Sequence, residues 1–279
     1  MYVGRIVAVG RSKAGRNAVM YRVSSRSFPD RQAVDNDGTL AIVPRPGAEA
    51  DLQKSPYIAY NALRLAGDWA VAANGSHTDP IAEKIGAGLP PRDALMLCLS
   101  AMDYEHDDLG TPRIAAVVPR TGDTAWLAIV RADALVVKAV ELAAGRARYL
   151  ATYEANDVDE AQSSDFDAES GGEAAAFVVS GGAFAGLERP VTSAAALATD
   201  AGFSLGTYVV RDPASRGFAS KPPVRLVRRW CPAALSTIPP TPFLARKGVM
   251  NLMRGTPPCP RQRGFAPLHS PSGGHGQRF

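Results

Sequence analysis

The strand and helix signals of this 279-residue chain stop at Val210, and that break decides how much of the sequence can build a core. Residues 211–279 hold 12 of the 31 Lys and Arg, a single acid (Asp212) and 12 of the 22 prolines. Proline fixes φ and removes a backbone donor, and like charges repel, so no helix or strand period of useful length survives there. The expectation is a folded domain at 1–210 followed by a disordered, basic Pro/Arg-rich tail at 211–279. The domain carries the other 19 Lys/Arg against 26 Asp/Glu, a net of −7, so the overall charge of +4 describes the tail and not the body. The abrupt turn to Arg, Pro, Ala and Gly equally fits GC-rich DNA translated out of frame, in which case the tail is dispensable.

A body of 210 residues is long enough to bury one sizeable core. Short runs rich in Val, Ile and Tyr, bounded by Gly, Asn, Asp or Pro, read as strands at 2–9, 18–24, 39–43, 58–65 and 68–73. A second set follows at 113–118, 125–131, 134–141 and 148–153, and a last strand at 204–210; 174–179 reads as helix or strand. Between the sets, Thr78-Asp79-Pro80 opens a helix that should stop at Gly86. Pro91-Arg92-Asp93 opens a second, whose Leu95, Leu99 and Met102 fall at i, i+4 and i+7 on one face. Two groups of strands with helices between them give an α+β, layered domain. Residues 154–173 contain eight acids and no Lys or Arg, and read as a solvated loop rather than a metal site.

No run of 18 apolar residues occurs, so no transmembrane helix is expected, and Met1-Tyr2-Val3-Gly4-Arg5 lacks the layout of a signal peptide. Three scattered cysteines, Cys98, Cys231 and Cys259, fit a reducing, cytoplasmic setting, with Cys98 in the core. No Walker loop and no GxGxxG is present, so composition offers no cofactor motif.

Three clusters bear chemistry. Arg22, Arg26 and Arg31 lie within ten residues around Ser24, Ser25 and Ser27. Arginine forks match phosphate or carboxylate oxygens, and pattern alone leaves open whether this is an anion site or a surface turn. Tyr57, Tyr60 and Asn61 precede Asn74-Gly75-Ser76-His77-Thr78-Asp79, which reads as a cradle at a helix N-terminus or as an ordinary Asn-Gly turn with a cap. Met102-Asp103-Tyr104-Glu105-His106-Asp107-Asp108 puts four acids at a helix C-terminus, where the dipole disfavours them, which points to function or to a solvated acidic loop. A single histidine there makes a metal the weaker reading.

Taken together, MYVGR at 1–5, YRVSSRSFP at 21–29, PYIAYN at 56–61, NGSHTD at 74–79, RDAL at 92–95, MDYEHDD at 102–108 and TPRIAA at 111–116 resemble the archaeal-type IMP cyclohydrolase family in order and spacing. The resemblance is strong over 1–155, loose over 156–210 and without counterpart beyond. It implies a four-layer αββα sandwich like the N-terminal nucleophile hydrolases. Met1 followed by bulky Tyr2 should be retained, so a nucleophilic first residue is not expected.

The implied reaction is dehydrative closure of 5-formamidoimidazole-4-carboxamide ribonucleotide to IMP, without metal or organic cofactor. On that basis Arg31, Tyr60 and Glu105 are assigned to catalysis, Tyr60 to a hydrogen bond or proton relay and Glu105 to general acid/base work. Arg22, Arg26 and Arg31 share phosphate binding and oxyanion stabilisation, with Arg31 nearest the chemistry; Asn61, Asn74, His77 and Thr78 are assigned to base and ribose, and Asp103 and Arg113 to holding Glu105. The expected partner is a small purine ribonucleotide, with no membrane, and with nucleic acid only through the basic tail. Whether the chain forms a homo-oligomer is open. The rival readings are a nucleotide-binding relative without turnover and a tail-driven nucleic-acid-associating protein.

Overall fold

A computed structural model describes residues 1–158 and 161–210. The expected tail at 211–279 lies outside the described residues. The strand-forming runs build two antiparallel sheets whose central strands are buried on both faces. The first has the order β11–β10–β1–β2–β12–β13, from β1 (Ile6–Arg11), β2 (Asn17–Ser24), β10 (Arg146–Ala151), β11 (Gln162–Asp165), β12 (Pro190–Thr199) and β13 (Gly202–Val209). The second is a meander in chain order: β3 (Arg31–Asn36), β4 (Thr39–Pro44), β5 (Tyr60–Ala66), β6 (Trp69–Ala73), β7 (Arg113–Pro119), β8 (Thr124–Arg131) and β9 (Ala134–Glu141). A single turn, α1 (Asp51–Lys54), and a 3-10 turn at Pro56–Ile58 lead into β5. Helices α2 (Thr78–Gly86) and α3 (Pro91–Met102) join β6 to β7, and α4 (Gly171–Ser180) precedes β12.

Period-two side-chain placement sorts the core into three layers of contact. Val7, Val9, Val19, Tyr21 and Val23 of the first sheet meet Leu40, Ile42, Leu63, Ala72, Ile114, Ala116 and Leu127 of the second. The alternate residues Ile6, Ala8, Met20, Tyr149 and Leu197 face Ala174, Ala175 and Val178 of α4. On the far side, Val71, Ala73, Ala115 and Val117 face Ile81 and Ile85 of α2 and Leu95, Cys98 and Leu99 of α3. The α+β expectation holds, and Cys98 is buried core.

Three strands were not legible as such. β3 is an edge strand in which only Arg31 and Ala33 are buried, and its polar sequence hides the alternation. β12 is built largely of Ala, Ser and Thr, residues chosen for thinness between α4 and the facing sheet rather than for strand propensity. β11 lies inside the acidic stretch 154–173, which is therefore not simply a solvated loop. It pairs with β10, and Val158, Ala161, Phe166 and Ala168 around it are buried.

The first turn of α4 rests directly on β13. A β-carbon at Gly206 would lie 2.2 Å from the Gly171 carbonyl carbon, and one at Gly171 would lie 2.3 Å from the Ser204 carbonyl oxygen. Both obstacles are backbone, so the helix must lift to admit a methyl group. Gly206→Ala should destabilise the fold by about 1–3 kcal/mol, as overpacking does. An unchanged midpoint in urea unfolding would show that the helix seat is soft.

Candidate active site

Arg5 just before β1, the 25–31 loop between β2 and β3, the 55–58 turn before β5, the loop after α3 and Tyr153 after β10 enclose a cleft of about 420 Å³, within the range of small-molecule sites. Tyr2, Phe28, Tyr57 and Tyr153 give it aromatic walls, and Ser25, Arg26 and Ser27 line it as well. Arg5, Arg31 and Glu105 line it too.

Glu105 is 1 % exposed. Its backbone N–H donates to Thr111 O at 2.8 Å, closing the 105–111 loop, and Asp107 Oδ1 and Oδ2 accept from Thr111 N and Oγ1 at 2.8 and 2.7 Å. Arg5 Nη2 lies 3.3 Å from Glu105 Oε2, and Arg113 Nη1 lies 3.5 Å from Oε1. Burial pushes the Glu105 carboxyl above the ordinary carboxylate range, reinforced by Asp107 and opposed by Arg5, Arg113 and Arg31. For Arg5, burial opposes the charge, but the surrounding Tyr60, Glu105, Tyr21 and Tyr153 outweigh it and keep the guanidinium protonated.

Arg31 is 4 % exposed. Its Nε donates to Phe28 O at 3.1 Å, and no carboxylate among the described residues pairs with it. Arg31 faces the cleft with no acid to pair it, so it can meet an anionic or electron-rich ligand atom there. Tyr60 stands opposite Tyr21 across the two sheets, hydroxyl to hydroxyl at 2.5 Å with the rings edge to face. Burial, Tyr60 and their mutual hydrogen bond raise the Tyr21 phenol well above its usual value, against Arg5 and Arg31, so Tyr21 is a neutral brace. Arg26 sits at the rim, 4.3 Å over the Tyr2 ring and 2.8 Å from Glu188 Oε2. Glu188 also accepts from the Met1 ammonium at 3.0 Å.

Other residues singled out in the sequence stand elsewhere. Arg22 does not reach the cleft. On β2 it alternates with Tyr21 and points to the α4 side, where Nε donates to Ser24 Oγ at 3.0 Å. Its Nη1 donates to the carbonyls of Val178, Val179 and Phe184, and its Nη2 to those of Leu187 and Glu188. It is a buried cation set against the C-terminal carbonyls of α4, where the helix dipole favours it. Burial pulls it down to about 10, still charged at neutral pH. Asn61 donates to Asp79 Oδ1 at 2.9 Å and ties β5 to α2. Asn74 accepts from Ile114 N at 2.7 Å and donates to Pro112 O at 2.9 Å, fastening β6 to β7.

Thr78 donates to Gly75 O at 2.9 Å rather than capping α2. Asp103 is the left-handed residue after α3, with φ +56°, and its carbonyl, not its carboxylate, accepts from Arg113 Nε at 2.8 Å. Arg113 thus stands braced at Glu105. His77 is fully buried behind Gly75 and does not line the cleft.

Sequence reasoning did not single out Arg5, which lines the cleft, or Tyr21, which braces Tyr60. Arg5 closes the quoted MYVGR motif, but its partner lies 100 residues away. Tyr21 reads as strand filling. Among the described residues no group of three or more His, Cys, Asp or Glu is arranged to hold a metal ion.

A family model described as IMP cyclohydrolase-like protein matches residues 2–202. A curated relative from Methanococcus maripaludis is 48 % identical over 208 residues, which is 74 % of this chain and 100 % of that protein. One from Halobacterium salinarum is 46 % identical over 213 residues, 76 % of this chain and all of the relative. One from Methanosphaera stadtmanae is 44 % identical over 200 residues, 72 % and 96 % of the two chains. Each of these relatives is named IMP cyclohydrolase.

Proposed function

Since the chain belongs to the IMP cyclohydrolase-like family, we propose that its cleft closes the purine ring, converting 5-formamidoimidazole-4-carboxamide ribonucleotide to IMP and water. The observation that carries the reading is Glu105, a buried carboxyl held between Arg5 and Arg113, in one cleft with the acid-free cation Arg31.

The reacting groups are tethered within one molecule, so the protein's task is to hold the reactive rotamer and manage charge. The carboxamide nitrogen attacks the formyl carbon, and a C–N bond forms. Glu105 gives its proton to the formyl oxygen, which becomes a hydroxyl, and recovers one from the attacking nitrogen. The hydroxyl then leaves as water with the proton from Glu105, while the formamido N–H returns a proton to the carboxylate as the C=N bond forms. Substrate loses one water, and Glu105 ends as it began. Burial suits the acid role, since it keeps the carboxyl protonated to higher pH than a solvated glutamate.

Arg31 faces the oxyanion that develops on the formyl oxygen. Tyr60, fixed by Tyr21, donates a hydrogen bond to the same centre. Arg26, Ser25 and Ser27 at the rim take the 5′-phosphate, with Arg26 leaving Glu188, and the aromatic walls take the heterocycle. Arg113 is a positioning residue for Glu105. The stacking of helix, sheet, sheet and helix supports a kinship with the N-terminal nucleophile hydrolases, though the reaction proposed needs no nucleophilic first residue. Residues 1–210 supply every group this chemistry uses.

The test is direct. Purified full-length protein, incubated with the formamido ribonucleotide, should form IMP above the spontaneous rate, and a folded protein that only binds the nucleotide would sink the proposal. Arg31→Gln should lower kcat/KM by about 10²–10³-fold, as loss of one oxyanion donor does, with the fold intact. A loss confined to KM would move Arg31 from the reacting oxygen to the phosphate.

A further inference from the structure

Beside the cleft, Tyr60, Gly75, Ser76, Glu105 and Arg113 wall a recess of about 40 Å³. A β-carbon placed on Gly75 would lie 3.0 Å from Arg113 Nη1, 3.3 Å from His77 Nδ1 and 3.4 Å from Glu105 Oε1. A donor, an acceptor and a carboxyl oxygen therefore converge on the one face of this turn that carries no side chain. Gly75 is not in the left-handed region, so close approach, and not φ, is what its missing side chain serves here.

His77 has a defined hydrogen-bonding state. Its Nε2 lies 3.0 Å from Ile114 O, and a carbonyl can only accept, so Nε2 carries the proton and Nδ1 is a bare acceptor. Burial and nearby Arg113 hold the ring pKa down to about 3, against the pull of the Ile114 carbonyl, so the ring is neutral. Nδ1 is buried and has no hydrogen-bond partner within the protein, alone in this among the buried side-chain nitrogen and oxygen atoms of the described residues. A buried acceptor left unpaired is costly. His77 is not itself on the wall of the recess, but its Nδ1 lies 3.3 Å from where a β-carbon of Gly75 would stand, so a water lodged against Gly75 can satisfy it.

We propose that the recess is a water seat, in which His77 Nδ1 accepts from, and Arg113 donates to, the oxygen expelled beside Glu105. The inference rests on the ring-closing reaction proposed above. It makes His77 a positioning residue for water rather than a contact of base or ribose. Its two nitrogens divide the work, Nε2 holding β7 through Ile114 and Nδ1 holding the water.

That division can be tested by substitution, because glutamine keeps a donor near the Nε2 position and loses Nδ1, while asparagine keeps an acceptor near Nδ1 and loses the bond to Ile114. His77→Gln should lower kcat by about tenfold or more with KM little changed, and His77→Asn should retain more of the rate. Gly75→Ala, which fills the recess with a methyl group, should lower kcat in the same way. Crystals of the wild-type protein should show an ordered water within hydrogen-bond reach of Nδ1 that is absent from Gly75→Ala. Wild-type kcat in His77→Gln, or no water at Nδ1 in the wild type, overturns the water seat while leaving the ring-closing reaction standing. A folded wild type that forms no IMP overturns that reaction and this role with it.

Discussion

Glu105→Gln should abolish most ring closure, lowering kcat by about 10²–10⁴-fold, the range lost when a positioned acid/base is removed. The amide keeps the shape of the carboxyl and still fits between Arg5 and Arg113, so the fold and nucleotide binding should survive. The pH profile gives a second, sharper reading. Burial raises the folded-state pKa of Glu105 above the ordinary value of about 4.3. The acid form that begins the reaction is therefore present below the raised value and lost as pH climbs through it. Turnover in the wild type should fall on that alkaline side, and Glu105→Gln should show no such limb. The same shift has a thermodynamic face. Its stabilising contribution is complete below the unfolded pKa and disappears as pH rises through the folded one, so the wild type should lose stability over that window and Glu105→Gln should not. A Gln variant with near-full rate and an unchanged profile would remove Glu105 from the chemistry.

Arg22→Met should damage the fold and not the site. The guanidinium donates to Ser24 Oγ and to five carbonyls at the end of α4 and the turn beyond it, with no acid involved. Methionine fills much of the volume, yet leaves the buried carbonyls of Val178, Val179 and Phe184 without their donor. The expected loss is about 2–5 kcal/mol, since a buried acceptor left without its donor costs about 1–3 kcal/mol, and that is a large share of what a domain of this size has. Urea unfolding measures it. Lysine should rescue only in part, because a single ammonium cannot span the carbonyls that a planar fork reaches. In the protein that remains folded, KM should be unchanged. A stable Arg22→Met with weakened nucleotide binding would return Arg22 to the phosphate site and contradict its placement under α4.

The contrast between Arg22 and Arg31 shows what was legible and what was not. Both are arginines in one short run, and local pattern treats them alike. Alternation on β2 fixes only that Arg22 and Ser24 share a face, not whether that face meets the other sheet or a helix. The answer depends on α4, more than 150 residues away. Arg31 heads an edge strand whose inward face closes the cleft. Asn61 and Asn74 repeat the point: an amide side chain in a promising cluster is as able to fasten two backbone segments as to hold a ribose, and in this fold both fasten.

Local sequence was enough for the α+β class, both helices between the strand sets, most strands to within a few residues, and for singling out Glu105 and Arg31, which line one cleft, and Tyr60, which walls the recess beside it. These are consequences of local periodicity, of Gly and Pro at element ends, and of motifs read together. Tertiary contacts alone put Arg5 on the cleft wall, set Tyr21 against Tyr60, turn Arg22 toward α4, make β12 a strand although it is mostly alanine, serine and threonine, and leave His77 a bare nitrogen behind Gly75. Each of those depends on what a side chain meets across the sheets or across a hundred residues of chain, and burial and hydrogen bonding are set by that neighbour rather than by the sequence around it.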